Sequence, residues 1–202
     1  GCFDMPNIAF FDFDGTITHS ETFSRFVLQT ASKRRLVKGK LEIMPYYVGY
    51  KLGIISGAKV RHQVLKIGLT GIPEAEIRHK GRQYSAKHIP KVLRQNAMQQ
   101  IEWHQRQGDK IVIVSASMDV YLKPWCDIHG FELLCSEVEY KNGVVTGNYI
   151  NQDCSGERKK QRILQNYDLK RYAKVYVYGD TKEDFAMLSL GTEKIYQWKA
   201  FK

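Results

Sequence analysis

Three short runs of β-branched and aromatic residues punctuate the chain: Asn7–Phe13 (NIAFFDF), Lys110–Ser117 (KIVIVSAS) and Lys174–Asp180 (KVYVYGD). Each carries a small or acidic residue at or next to its end and reads as a buried strand. Elsewhere the apolar spacing changes to three and four, as in Val60–Leu69 and the long stretch Glu74–Gln107, which predicts helices. Ser117–Gly130, Gly156–Tyr167 and Lys182–Leu190 read as helices that follow or link strands, and Ser136–Ile150 as a hairpin turning at Asn142-Gly143. A weaker strand is expected near Phe131 to Cys135 and a last one near Lys194 to Trp198. Strands alternating with helices predict an α/β fold, a Rossmann-like doubly wound parallel sheet. A helical block interrupts it after the first strand. The expected division is a core of residues 5–18 and 108–202 with a helical cap, 19–107, inserted between.

Composition narrows this picture. A chain of 202 residues with 12% aromatic side chains has ample material for a core, so disorder is excluded as its main state. No apolar run approaches the roughly 18 residues that cross a bilayer. The first residues lack the basic start and apolar stretch of a signal peptide. The chain opens on Gly1, and Met5 is a candidate natural start, with Gly1–Asp4 left by cleavage or cloning. Four scattered cysteines, Cys2, Cys126, Cys135 and Cys154, form neither a disulfide framework nor a zinc spacing, so a reduced, cytoplasmic setting is expected.

The net charge of +10 is unevenly placed. Residues 31–100 hold 15 of the 31 Lys and Arg but 3 of the 21 acids, which makes that helical segment +12 and leaves the rest at −2. Such a segment suits nucleic acid, an anionic membrane surface or an anionic substrate.

The chemistry-bearing residues stand at strand ends. Asp12 and Asp14 fall on the same side of the first strand, at the carboxyl end where open α/β sheets place ligands. Two carboxylates so close demand a cation or a shared proton, although a solvated acidic turn would look the same. Ser115 and Ala116 end the second strand before a helix, where a hydroxyl and helix-start N–H groups can meet an anion or merely cap the helix. Lys159 and Lys160 open a helix after the hairpin; either could reach a phosphate, and both could be a solvated face. Asp180 and Asp184 end the third strand four residues apart, spaced for a metal ligand and a residue that orients it.

Acid pair, hydroxyl, lysine and acid pair, in this order, resemble the haloacid dehalogenase superfamily of phosphohydrolases. FDFDGT is similar to its first motif, IVIVS to its second, a lysine to its third and GDTKED to its fourth. The helical insert resembles the cap of the phosphoserine-phosphatase-like subgroup. FFDFDGT, IVIVSAS and DCSGERKKQRI look most like a bacterial branch that includes phosphatidylglycerophosphate phosphatases. The resemblance implies a magnesium-dependent phosphomonoesterase. Asp12 would be the nucleophile, forming an aspartyl-phosphate, and Asp14 the general acid and base. Mg2+ would be held by Asp12, Asp180 and the backbone carbonyl of Asp14, with Asp184 orienting. Thr16, Ser115, Ala116 and Lys159 would bind the phosphate, Lys159 being preferred to Lys160 for its spacing from Cys154-Ser155-Gly156. Dehalogenation is disfavoured, because it does not need the second acid pair.

The substrate is expected to be a small or lipid-linked phosphate monoester. Glu21, seven residues after Asp14, is spaced like the glutamate that binds the substrate amine in phosphoserine phosphatases, or is an exposed first-turn glutamate. Arg61 is a candidate for a substrate carboxylate. Gly15 stands where many phosphoserine phosphatases have serine, which weighs against that substrate. The stretch Leu41–Ile55, with Tyr46, Tyr47 and Tyr50 among basic residues, is either cap core with a solvated face or a surface that touches anionic lipid. A nucleic-acid-binding module without catalysis is the alternative of another class, but no nucleic-acid motif is present.

Overall fold

A computed structural model describes residues 5–202; the origin of Gly1–Asp4 lies outside the described residues. Six strands form one sheet in the order β3-β2-β1-β6-β7-β8: β1 (Ile8–Phe11), β2 (Lys110–Met118), β3 (Glu132–Ser136), β6 (Val175–Gly179), β7 (Glu193–Tyr196) and β8 (Lys199–Ala200). All neighbours run parallel except β7 and β8. The central strand β1 is buried at every position, and its alternation sorts side chains to two faces. Ala9 and Phe11 join one apolar cluster with Ile111, Ile113 and Tyr178, while Ile8 and Phe10 join another with Val112, Val114, Val175 and Val177. A second, two-stranded sheet is the expected hairpin, β4 (Val138–Lys141) and β5 (Val144–Tyr149), with Asn142 and Gly143 both at positive φ.

Between β1 and β2 lie α1 (Phe23–Thr30), α2 (Lys33–Lys51), α3 (Gly57–Leu69), α4 (Glu74–Lys87), the short α5 (Ile89–Val92) and α6 (Gln95–Arg106). The stretch expected as one helix from Glu74 to Gln107 is therefore three. Pro90 sits in the first turn of α5, where it lacks a donor to continue α4, and Leu93 is extended. The insert is stitched at its neck. Thr18 bridges Leu93, His19 N donates to Val92 O (2.9 Å) and Arg94 N to Ile17 O (2.7 Å). Past that neck α6 packs on the sheet: its Ala97 and Ile101 are core residues, and His104 reaches Tyr178 of β6. The sequence pattern groups α6 with the helices of 19–107; its contacts lie with β2 and β6.

Helix packing uses small residues. A Cβ on Gly81 of α4 would fall 2.0 Å from the Val120 carbonyl oxygen, so only glycine admits α4 so close to α7 (Asp119–His129). Gly39 and Gly49 are the buried positions of α2, against Ile67 and Ile55. The sheet's second face is covered by α8 (Glu157–Asn166) and α9 (Phe185–Leu188). The last strand expected near Lys194–Trp198 is shorter and folds back: Gln197 and Trp198 both take positive φ and turn β7 into β8. Neither is a usual turn former, so the turn carried no local signal.

Candidate active site

The carboxyl ends of β1, β2 and β6 meet in one cleft, a cavity of about 720 Å3 lined by Asp12, Asp14, Ala116, Lys159, Asp180 and Asp184 among others. Asp12 N donates to Tyr178 O (2.9 Å), extending the ladder between β1 and β6 one residue beyond the strand. Gly15 then turns the chain at φ +82°. A Cβ there would lie 2.0 Å from Asp180 Oδ2, so the first motif can approach Asp180 only as glycine.

The Lys159 ammonium stands between two carboxylates, 2.6 Å from Asp12 Oδ1 and 2.8 Å from Asp184 Oδ1. All three are buried. Lys160, next along α8, is half-buried. Burial alone would lower the Lys159 pKa, but the charges of Asp12 and Asp184 outweigh it and hold the ammonium above its ordinary value. Burial pushes Asp12 well above the usual carboxylate range, and the charge of Asp184 adds to this against the pull of Lys159. Asp184 moves the other way. Its burial is overcome by Lys159 and by the N–H groups of Asp180 (3.0 Å) and Thr181 (3.2 Å), which donate to Oδ2. Asp184 is thereby fixed as an anion that orients the loop carrying Asp180.

Carboxylate oxygens of Asp12, Asp180 and Asp184 lie within 4.8 Å of one another. An oxygen-only donor set with excess negative charge suits a hard divalent cation. The Thr16 hydroxyl lies 3.2 Å from both Asp12 Oδ2 and Asp180 Oδ1 and can donate its one hydrogen to either, so it serves the carboxylates in this structure.

Asp14 faces away from that trio. Its Oδ1 accepts from Thr22 N (2.9 Å) and the Thr22 hydroxyl, and its Oδ2 from the Ser117 hydroxyl. Burial raises its pKa, and these donors only partly offset the rise. Ser115 Oγ accepts from Ser117 N (2.9 Å), two residues along the same side of β2. Ser117 and Thr22 were not singled out from the sequence. The alternation of β2 that marks Ser115 also marks Ser117, but Thr22 reaches Asp14 through a loop that no short-range pattern encodes.

The two substrate candidates differ. Glu21 lines the cavity rim and stands just before α1, outside its first turn, where its Oε1 accepts from Ser24 N (2.8 Å). Burial and the nearby charge of Asp14 raise its pKa. Arg61 of α3 also lines the cavity, but its guanidinium is committed. Nε lies 2.8 Å from Asp153 Oδ2, and Nη2 lies 3.3 Å from Glu183 Oε2. It thus ties α3 to the loop before α8 and to the loop between Asp180 and Asp184. The apolar Tyr47 and Tyr50 of α2 complete one wall.

A parallel α/β sheet with acids gathered at the carboxyl ends of its central strands is the frame of an enzyme whose chemistry sits at a switch point of the sheet. The chain belongs to the haloacid dehalogenase-like hydrolase family, which matches residues 9–189. Among curated relatives it is similar to protein CicA of Caulobacter vibrioides, 29% identical over 95% of this chain and 86% of that one. It is also similar to the histidinol-phosphatase of Neisseria meningitidis serogroup C, 24% identical over 95% and 90%. Its fold is shared with a protein of unknown function from Bordetella pertussis Tohama I, TM-score 0.79, 20% identity, 95% and 90% covered. A substrate-bound phosphoserine phosphatase shares it at TM-score 0.69, 14% identity, 95% and 85% covered.

Proposed function

We propose that the protein is a magnesium-dependent phosphomonoesterase working through an aspartyl-phosphate on Asp12. The observation that carries this reading is the Asp12–Lys159–Asp184 chain of contacts beside Asp180, with Asp14 half-buried and hydrogen-bonded in the same cleft. Asp12 and Asp180, with the backbone carbonyl of Asp14, would hold Mg2+. When bound, the cation offsets the charge that otherwise keeps a carboxylate from approaching a phosphate dianion.

The steps belong to this chain's own residues. An Asp12 carboxylate oxygen attacks phosphorus, and the bond from phosphorus to the alcohol oxygen breaks. Asp14, whose burial favours its protonated form, gives that oxygen its proton. Asp14 then takes a proton from water, which attacks the phosphorus of the acyl phosphate and releases inorganic phosphate and a free Asp12. Lys159, Ser115 and the N–H of Ala116 hold the phosphoryl oxygens as charge shifts. The helices α1–α5 form the cap that reads the leaving group.

The leaving group is a small or lipid-linked alcohol rather than serine. A phosphoserine site needs an arginine free for the carboxylate, and Arg61 is engaged by Asp153 and Glu183. Chelation tests the proposal: turnover of an aryl phosphate should vanish in excess chelator and return with magnesium. Turnover undiminished by chelation refutes it.

A further inference from the structure

Helix α2 carries an apolar stripe that stays about half exposed or more among the described residues. Val37, Leu41, Met44 and Val48 follow at intervals of four, three and four residues, which places them in one stripe. They are between 49% and 75% exposed, and Leu52 and Ile54, just past the helix, are 69% and 78% exposed. The opposite face is the buried one, with Gly39 against Ile67 of α3 and Gly49 against Ile55 of the loop before it. The stripe has charged borders of one sign. By helical geometry Lys33, Lys40 and Lys51 fall along one border, and Arg34 and Lys38 along the other. Glu42, the one acid of α2, lies off the stripe and 3.9 Å from Lys38. Among the described residues no helix is long and apolar enough to cross a membrane.

We propose that this face of α2 docks on an anionic lipid surface, with the apolar stripe in the headgroup boundary and the lysines and arginines on lipid phosphates. An exposed apolar ridge with cationic borders is the pattern of a helix lying in the interface plane. A second copy of the chain is the poorer occupant. Pairing two such stripes would set Lys33, Lys40 and Lys51 of one copy against the basic borders of the other. Tyr47 and Tyr50, off the stripe on the same helix, line the candidate cleft, so the docked helix also forms part of the cleft wall.

Sedimentation of the full chain with vesicles tests this. The protein should pellet with vesicles of phosphatidylcholine and phosphatidylserine and stay in solution with phosphatidylcholine alone, and binding should weaken as salt rises. Leu41→Glu/Met44→Glu should lower partitioning about tenfold or more. Its thermal melt and its hydrolysis of a soluble aryl phosphate should not change. Lys33→Gln/Lys40→Gln should weaken binding without touching the apolar stripe. Partitioning equal to the parent in both variants overturns the proposal. So does an absence of binding to the anionic vesicles, or a dimer in solution that Leu41→Glu/Met44→Glu splits.

Discussion

Lys159 Nζ lies 2.6 Å from Asp12 Oδ1 and 2.8 Å from Asp184 Oδ1, a buried cation shared by a strand-end acid and a loop acid 172 positions further along the chain. Breaking a buried pair leaves its partners charged and uncompensated, typically at about 3–5 kcal/mol. Lys159→Met should therefore destabilise the fold and reduce kcat by about a hundredfold or more. Without the ammonium, Asp12 loses the influence that opposes its raised pKa. An acid whose folded pKa is raised destabilises above its unfolded pKa, so the loss in Tm should be larger at pH 8 than at about pH 5. Thermal melts at the two pH values check this.

Gly15→Ala is predicted to be severe although it adds one methyl. The position needs φ +82°, and the methyl would fall 2.0 Å from Asp180 Oδ2. Strain of about 1–2 kcal/mol is the smaller part. Displacement of Asp180 should raise the magnesium concentration needed for half-maximal turnover and cost about a hundredfold in rate. A metal titration against aryl phosphate hydrolysis measures both.

Arg61→Ala should act through the loops it ties rather than on a substrate carboxylate. It leaves buried Asp153 and the partly exposed Glu183 without their cation. The expected result is a lower Tm and a similar fractional loss of kcat/KM for carboxylate-bearing and carboxylate-free phosphate esters. A loss confined to phosphoserine would instead assign Arg61 to the substrate.

His104 gives a pH dependence of stability that is separate from catalysis. It is fully buried, with Nδ1 2.7 Å from Asp109 Oδ2 and Nε2 2.8 Å from the Tyr178 hydroxyl. Gln100 also donates to that hydroxyl, at 2.8 Å, so the Tyr178 O–H is left to donate to an unprotonated Nε2. Burial lowers the His104 pKa below its ordinary 6.5, outweighing Asp109. The unfolded chain then binds a proton more readily than the folded one. Stability is complete above 6.5 and falls as pH drops below it. Thermal melts should show this decline in the parent and a weaker one in His104→Gln.

Much of this was legible in the sequence, for physical reasons that differ by residue. Asp12 was visible because it follows directly on an apolar strand, whereas alternation misplaced Asp14, which lies past the strand's end and turns to Thr22 and Ser117 instead of sharing the side of Asp12. The central strands were visible because a sheet covered on both faces is apolar at consecutive positions. Lys159 was separable from Lys160 by its spacing from Cys154-Ser155-Gly156, and the structure places Lys159 against Asp12. What escaped depends on long-range contact. The capture of Arg61 by Asp153 and Glu183 joins residues 92 and 122 positions apart. Thr22 and Ser117 hold Asp14 through side chains whose identity, a hydroxyl near a helix start, is common at caps. The outward stripe of α2 is ordinary helical periodicity in the sequence, and only the structure shows which side faces away.

Asp12 is the nucleophile of the proposed reaction, and trapping the phosphoryl group on it is the most direct test. The protein should be mixed with a radiolabelled phosphate monoester and magnesium and quenched in acid during turnover. The label should remain on the denatured chain, be released by hydroxylamine as an acyl phosphate is, and map to the peptide containing Asp12. Asp12→Asn should show no label and about a thousandfold or greater loss of kcat. Full turnover by Asp12→Asn, or label on another residue in the parent, would contradict it.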